Sequence, residues 1–335
     1  MSSETVSADV QAIQRCKEAH DRIIAEVGKV IIGQRAVIDD VLITLFCDNH
    51  ILLIGVPGLA KTLLVSTLGQ VLRLSFKRVQ FTPDLLPGDI TGSEVVDHDP
   101  DTGQRTFRFV QGPVFANLLL ADEINRTPPK TQAALLQAMQ EREVTCGRRT
   151  MPLERPFLVM ATQNPLEHEG VYPLPEAQMD RFMFNTYVDY PTHEELAQIV
   201  QATTGETLPK AEPIMEREEI QNIQRIVRRV PVARPVVDYI CRLTAATRPT
   251  DPSAPDFIRQ YLNWGAGPRA AQFLALGAKA RAVLYGNTHG SIEDVQAVAV
   301  SVLRHRISLN FNALAEGLDD VTLVRRLLEN VPVHA

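Results

Sequence analysis

Apolar residues follow two different spacings along the chain, and the change falls near Pro191. Before this point, short apolar runs alternate with stretches of helical spacing, a pattern typical of a parallel sheet covered by helices. Beyond it, apolar residues recur every three or four positions, which predicts helices alone. The runs that predict strands lie at 51–54, 74–81, 114–121, 157–162 and 182–188.

These spacings predict two domains joined by a linker. Residues 1–190 are expected to form an α/β domain, residues 191–212 the linker, and residues 213–335 an all-helical domain. Two segments interrupt the alternation of strands and helices, one near 91–110 and one near 143–153. Both contain turn residues between extended stretches, so we expect a β-hairpin at each place.

The segment at 55–62 carries the most specific chemistry. It reads GVPGLAKT and lies between the apolar run at 51–54 and a predicted helix. A strand, a glycine-rich turn, Lys-Thr and a helix is the order that a phosphate-binding loop requires. Gly55 and Gly58 let N–H groups point at phosphate oxygens, Lys61 reaches the outer phosphates, and the Thr62 hydroxyl holds Mg²⁺. One position departs from the motif, because Ala60 stands where glycine is expected.

The composition of the chain disfavours some classes of protein but does not identify the function. The chain has 335 residues, of which 45% are hydrophobic and 22% charged, as is usual for soluble globular proteins. A net charge of −6 argues against tight non-specific binding of nucleic acid. The four cysteines are far apart, the first residues lack the pattern of a signal peptide, and no apolar stretch approaches the ~20 residues that span a bilayer. We therefore expect a cytoplasmic protein without a membrane segment.

Polar side chains follow two of the predicted strands at the point where each ends. Asp122 and Glu123 come after one apolar run, and Asn164 follows the next. In a parallel sheet the carboxyl ends of the strands form one edge, so these side chains should lie near the loop at 55–62. The aspartate suits Mg²⁺, the glutamate suits polarisation of an attacking water, and the amide suits the γ-phosphate.

Each of these residues also has an ordinary explanation. Two acids at a strand end are commonly solvated, and Asn-Pro is a common turn. The phosphate loop upstream favours the catalytic interpretation. Two arginines, Arg181 and Arg269, are candidates for neutralising phosphate charge, but spacing alone does not select them from the other arginines.

Six segments follow one another along the chain: GVPGLAKT at 55–62, PGDITG at 87–92, ADEINR at 121–126 with TPPK at 127–130, ATQNP at 161–165, YPLPEAQMDRF at 172–182 and GAGPR at 265–269. In this order they resemble the MoxR-type AAA+ ATPases over nearly the whole chain. Alanine before the lysine is usual in that family, so Ala60 supports the match, whereas Gly267 stands where serine is expected.

The resemblance implies the fold and the nucleotide contacts. It implies an AAA+ module with a five-stranded parallel sheet of the P-loop NTPase type, a hairpin at 91–110 inserted in the second helix, and a helical lid. It places Asp122 and Glu123 in Walker B and Asn164 at sensor 1. Walker A and the segment beside adenine supply the remaining contacts, namely Ile31, Ile32, Gly33, Gly55, Pro57, Gly58, Leu59, Ala60, Lys61, Thr62 and Leu63.

Two arginine roles come from the resemblance alone. Arg181 is similar to the arginine finger, which reaches the site of a neighbouring subunit. Arg269 is similar to sensor 2, which the lid is expected to contribute to the chain's own site. Because a monomer would then lack a finger, the resemblance implies a ring, expected to be a hexamer.

The expected function is Mg²⁺-dependent hydrolysis of ATP that drives the remodelling or maturation of another protein. The family suggests partners with a von Willebrand factor A domain. Three alternatives stay open at this stage. The net charge of −6 disfavours a DNA-translocating motor. The joint presence of Glu123, Asn164, Arg181 and Arg269 disfavours a nucleotide-gated scaffold without turnover. A chelatase-type motor subunit is a close variant of the expected function.

Overall fold

A computed structural model describes residues 3–98, 105–147, 149–167 and 170–333 and places one five-stranded sheet among helices. The strands are β1 Ile51–Ile54, β2 Phe76–Gln80, β3 Gly92–His98, β4 Arg105–Gln111, β5 Leu118–Asp122, β6 Glu143–Cys146, β7 Arg149–Pro152, β8 Leu158–Gln163, β9 Phe184–Tyr187, β10 Leu262–Trp264 and β11 Ser308–Leu309. The helices are α1 Ser3–Gly28, α2 Arg35–Phe46, α3 Lys61–Val71, α4 Pro87–Thr91, α5 Pro129–Glu141, α6 Glu176–Met179, α7 His193–Thr203, α8 Arg217–Arg229, α9 Arg234–Ala246, α10 Asp256–Tyr261, α11 Pro268–Leu284, α12 Ile292–Leu303, α13 Phe311–Ala315 and α14 Asp320–Asn330.

The central sheet has the order β2-β5-β8-β1-β9, and every neighbouring pair is parallel. The predicted parallel sheet of five strands is therefore confirmed. Strand β8 lies between β5 and β1, so the ends of these three strands are side by side. The sheet order alone brings the loop after β1, the acids after β5 and the amide after β8 to one edge.

Alternation along β5 divides the interior into two layers. Leu118 and Leu120 face a core that continues into the helices of the carboxyl-terminal part, whereas Leu119 and Ala121 face a core beneath α5. Successive side chains of a strand point to opposite faces, so an uninterrupted apolar run is what a strand buried on both faces requires. The helices of the lid and one face of the sheet therefore share a single hydrophobic core.

Both predicted hairpins are present outside the central sheet. Strands β3 and β4 pair antiparallel, as do β6 and β7, and the two hairpins approach each other where Glu94 lies beside Gly147. The turn of the first hairpin, at 99–104, lies outside the described residues.

The carboxyl-terminal part is the predicted helical lid. A capping box begins α12, because the Ser291 N–H donates to Asp294 Oδ2 over 3.0 Å and the Asp294 N–H donates to Ser291 Oγ over 3.2 Å. The lid also carries a short antiparallel ribbon, β10 with β11, and the two short helices α10 and α13, which apolar spacing does not indicate. Part of the segment expected as linker is the helix α7.

A buried carboxyl group joins the lid to the α/β part. Asp40 of α2 accepts hydrogen bonds from Thr186 Oγ1 of β9 over 2.7 Å and from Ser301 Oγ of α12 over 2.9 Å. Burial raises the pKa of the Asp40 carboxyl to about 6, although the two hydroxyl donors lower it. Among the described residues, no helix has the length and apolar character that crossing a bilayer requires.

Candidate functional site

The loop between β1 and α3 has the backbone that a phosphate cradle needs. A Cβ at Gly55 would lie 2.8 Å from the Val188 carbonyl oxygen, so only glycine fits beside the end of β9. Gly58 has φ +87° and Ala60 has φ +56°. The left-handed conformation costs a residue with a Cβ about 1–2 kcal/mol, so the alanine at 60 keeps the loop geometry of glycine at a small cost in stability.

Lys61 begins α3 and turns back over the loop, where its ammonium group donates to the Gly55 carbonyl oxygen. Burial lowers the pKa of Lys61, while the nearby carboxylates of Asp122 and Glu123 oppose that shift. The three charged groups therefore interact, as predicted from the strand order. Thr62, whose hydroxyl is expected to hold a metal ion, is partly exposed, and Leu63 is exposed.

Asp122 ends β5 with both carboxylate oxygens engaged. Oδ1 accepts from the Thr162 hydroxyl over 2.6 Å, and Oδ2 accepts from Arg78 Nη2 over 2.6 Å. Arg78 comes from β2, the neighbouring strand, and also donates through Nε to Oδ2 over 3.1 Å. A charged partner on one oxygen and a neutral one on the other fix the aspartate without burying it fully.

Glu123 follows in a left-handed conformation, φ +57°, which directs its side chain differently from that of Asp122. Its Oε2 accepts from Gln80 Nε2 over 2.6 Å and lies 3.2 Å from Arg126 Nε. Its backbone N–H donates to the Thr162 hydroxyl over 2.8 Å. Thr162 of β8 therefore holds both members of the acidic pair, and Glu123 Oε1 receives no hydrogen bond from the described residues.

Asn164 lies one residue past β8 and is nearly buried. Its Nδ2 donates to Glu167 Oε1 over 2.8 Å, and its Oδ1 accepts from the Leu166 N–H over 3.1 Å. The Arg126 guanidinium donates to both oxygens of Glu167, with a Nε–Oε2 distance of 2.7 Å. This hydrogen bond lowers the pKa of Glu167 and raises the pKa of Arg126, so both stay charged.

The segment expected beside adenine approaches the loop directly. Ile31 is buried and Gly33 has φ +73°. Gln34 donates from Nε2 to the Leu59 carbonyl oxygen over 3.1 Å, and its Oε1 is buried without a hydrogen-bond partner among the described residues. A buried acceptor without a donor is uncommon, so this oxygen is suited to a ligand that brings one.

The two candidate arginines lie at the other edge of the sheet. Arg181 and Arg269 line a cavity of about 190 Å³ together with Asn49 and His50, which precede β1, whereas the phosphate loop follows it. Arg269 donates from Nη1 to Asp180 Oδ2 over 2.8 Å. The expectation that Arg269 contributes to the chain's own site is therefore wrong for this conformation, because the start of α11 packs at the amino edge of the strands.

Arg181 differs from its neighbour in having no partner. Its side chain makes no hydrogen bond or ion pair within the described parts of the chain, and it lies two residues before Met183 at the entry to β9. Arg306, which is buried nearby, instead donates to Asp180 Oδ1 over 2.8 Å, and burial lowers its pKa to about 10. An accessible guanidinium without a carboxylate is what a residue that acts on another molecule requires.

Comparison with known proteins assigns this chain to a family. A profile described as "ATPase family associated with various cellular activities (AAA)" matches residues 50–184, and one described as "AAA lid domain" matches residues 257–327. The chaperone MoxR1 of Mycobacterium tuberculosis is 42% identical over 329 residues, which is 98% of this chain and 84% of the relative. The chain belongs to the MoxR family of AAA ATPases.

Two further relatives agree with this placement of the MoxR-family chain. The protein YeaC of Bacillus subtilis, which is uncharacterized, is 38% identical over 313 residues, covering 93% of this chain and 94% of YeaC. A crystal structure from Cytophaga hutchinsonii, described as that of a candidate ATPase, superposes with a TM-score of 0.90 at 40% identity and covers 99% of both chains. The enzyme is thus an ATPase with a nucleotide-binding domain and a lid.

Several contacting residues of this MoxR-family site were missed from the sequence. They are Arg78, Gln80, Arg126, Thr162 and Glu167. One signal was available for the first two, because polar side chains at the end of an apolar strand beside Asp122 suggest a shared edge. The pairing of Arg126 with Glu167 spans 41 positions and two loops, so no local pattern indicates it.

Proposed function

We propose that this ATPase hydrolyses ATP with Mg²⁺ in order to remodel or mature a partner protein. The observation that carries the proposal is the sheet order, which brings Lys61, Asp122, Glu123 and Asn164 to one edge. A half-buried lysine beside two carboxylates supplies the charges that phosphoryl transfer to water uses: a cation for the phosphates, one acid for the metal ion and one for the attacking water.

The residues present fit a nucleotide. The loop offers N–H groups at the start of α3, and the positive end of that helix favours anions. The unsatisfied Gln34 Oε1 beside Leu59 suits a base that carries an amine, as adenine does. These contacts support the expected set, from the segment at 31–33 through the loop at 55–63.

The residues also fit a weakly coordinated metal ion. Thr62 and Asp122 would hold Mg²⁺, and the bound ion would neutralise part of the negative charge of the phosphates. The described residues contain no group of three or more His, Cys, Asp or Glu side chains placed to hold a metal. Mg²⁺ commonly keeps several waters and takes only one or two protein carboxylates, so this sparse set is appropriate.

Catalysis would be divided among the remaining side chains. Glu123 keeps one oxygen available to orient and deprotonate the attacking water, while Gln80 holds the other. Asn164 would turn its amide from Glu167 to the γ-phosphate. These roles require side-chain rotation only. The backbone of Glu123 is held by its hydrogen bond to Thr162, and the backbone of Asn164 directly follows β8.

Arg181 and Arg269 would act on a neighbouring subunit. Both lie at the edge opposite to the chain's own loop, and the Arg181 side chain has no hydrogen-bond or ion-pair partner among the described residues. We propose a homo-oligomeric ring, a hexamer, in which this edge meets the loop edge of the next copy. The finger and the sensor would then enter one site together, from the same side.

The kind of work is proposed from relatives. One relative is named as a chaperone, and this chain aligns along almost its whole length with it. We therefore propose a chaperone-like role in the cytoplasm on a client or adaptor, with a von Willebrand factor A domain as the partner module. A chelatase-type motor is the nearest alternative, and DNA translocation or a scaffold without turnover is less well supported.

Two matched variants test the hydrolytic function. Lys61→Ala should lose nucleotide binding, because the ammonium that reaches the outer phosphates is gone. Glu123→Gln should bind ATP with normal affinity and lose turnover by about 10²–10⁴-fold, because an amide cannot take the proton. Calorimetry measures the first effect and steady-state phosphate release the second. ATP affinity retained in Lys61→Ala, or normal turnover in Glu123→Gln, would contradict the assignment.

A further inference from the structure

A chain of contacts links Glu123 to Asn164 through two residues that have no assigned role. Arg126 Nε lies 3.2 Å from Glu123 Oε2 and 2.7 Å from Glu167 Oε2. Glu167 in turn accepts from Asn164 Nδ2 over 2.8 Å. One guanidinium is therefore shared by two carboxylates, and one of these carboxylates also holds the amide.

The sharing is unequal. Arg126 donates to Glu167 through both Nε and Nη2, the bidentate arrangement in which an arginine and a carboxylate bind most strongly. It meets Glu123 through Nε alone, over a longer distance. Glu167 thus takes the closer, bidentate contact with Arg126, and Glu123 Oε1 stays without a donor from the described residues.

We propose that Glu167 is a positioning residue for ATP hydrolysis, which holds the Arg126 guanidinium away from the second oxygen of Glu123. This inference rests on the proposed hydrolytic function. Without Glu167, Glu123 is the carboxylate among the described residues that remains paired with Arg126. Its Oε2 already accepts from Gln80, so a bidentate Arg126 would occupy both oxygens and leave none to orient water.

The same carboxylate also contacts a second functional group. Through its contact with Asn164 Nδ2, Glu167 holds the amide in the arrangement from which it would turn to the γ-phosphate. A displacement of Glu167 would therefore change the surroundings of both Glu123 and Asn164.

The experiment is a double-mutant cycle on the full chain. Steady-state kcat and KM for ATP, together with the affinity for ATP by calorimetry, are measured in the wild type, Glu167→Ala, Arg126→Ala and the double variant. Glu167→Ala should lower kcat by ~10²-fold, the lower end of the contribution of a general base, with ATP affinity unchanged. In the Arg126→Ala background the same change should have a much smaller effect, because the competing guanidinium is absent.

Two further variants serve as a control for the loss of a carboxylate and as a substitute if Glu167→Ala does not fold. Glu154→Ala removes an exposed carboxylate that pairs with Arg217 far from the site, and it should leave kcat unchanged. If Glu167→Ala does not fold, the isosteric Glu167→Gln replaces it in the cycle and should lower kcat in the same direction.

An equal loss of kcat from Glu167→Ala in both backgrounds would overturn the proposal, and so would a normal kcat in Glu167→Ala. Either result leaves the hydrolytic function standing, since wild-type turnover and its loss in Glu123→Gln are measured separately. Absence of turnover in the wild type would instead refute the proposed function.

Discussion

The two edges of the central sheet differ in how their charged groups are satisfied. At the carboxyl edge, Asp122, Glu123 and Asn164 each have hydrogen-bond partners from neighbouring strands and loops. At the amino edge, Arg181 lines a small cavity beside Arg269, and its side chain has no partner in the described part of the chain. The polar groups at the carboxyl edge thus hold one another, whereas the amino edge presents a cation for which the described residues offer no acceptor.

This difference supports the proposal of a site shared between two subunits. A phosphate cradle must be rigid before its ligand arrives, and mutual hydrogen bonds provide that. A finger must remain free until a second molecule brings the phosphate. The same parallel sheet supplies both, because its two edges are separated by the length of the strands, roughly 13 Å for the four residues of β1.

The largest expected effect comes from the unpaired arginine. Arg181→Ala should lower the turnover of the assembled protein by about 10³–10⁵-fold, the usual contribution of an arginine finger, while ATP still binds. The cradle is untouched, so calorimetry should give the wild-type affinity. Phosphate release measures the loss.

Arg155→Ala is the matched control for this prediction. Arg155 is exposed near the same edge, but it has a carboxylate partner, with Nη1 3.6 Å from Asp48 Oδ2. Its removal should leave turnover near that of the wild type. Equal losses in both variants would mean that general surface charge, and not an unpaired finger, distinguishes the amino edge.

A smaller effect tests the joint between the two domains. The pKa of the Asp40 carboxyl is raised to about 6 in the folded protein, whereas the usual value for aspartate is 3.8. The folded state therefore binds the proton more tightly, and the stability that this proton gives is present below pH 4 and lost as the pH rises through 6. The difference amounts to about 3 kcal/mol.

Asp40→Asn should remove this part of the pH dependence. Between pH 4 and pH 7.5, the unfolding free energy of the wild type should fall by about 2 kcal/mol more than that of the variant, because part of the full difference develops only below pH 4. Urea unfolding at the two pH values measures it. Parallel pH profiles for both proteins would show that Asp40 does not titrate in the joint between α2, β9 and α12.

Much of the fold follows from local pattern. Apolar runs such as that at 118–121 had to be strands buried on both faces, and the helical spacing after Pro191 had to be a lid. Short elements such as α10, α13 and the β10–β11 ribbon were not predicted, because they have too few residues to show a period. Their conformation depends on packing against the rest of the lid.

The candidate site, like the fold, has residues that the sequence predicts and residues that it does not. Lys61, Asp122 and Asn164 were predictable because each belongs to the segment in which a strand of the sheet ends or that directly follows it. The position of Arg269 was not, since the sequence gives the start of α11 but not the face on which the lid packs. Contacts such as Arg78 with Asp122, or Arg126 with Glu167, need side-chain directions that no spacing encodes.

The central claim is that the cradle of one subunit is completed by the free arginine of the next. Arg181→Ala subunits keep an intact cradle but lack the finger, and Lys61→Ala subunits keep the finger but lack the cradle. The decisive measurement is ATP turnover when these two inactive variants are mixed across a range of ratios. The account predicts that activity returns in the mixture, highest near equal amounts, whereas no activity at any ratio would contradict it.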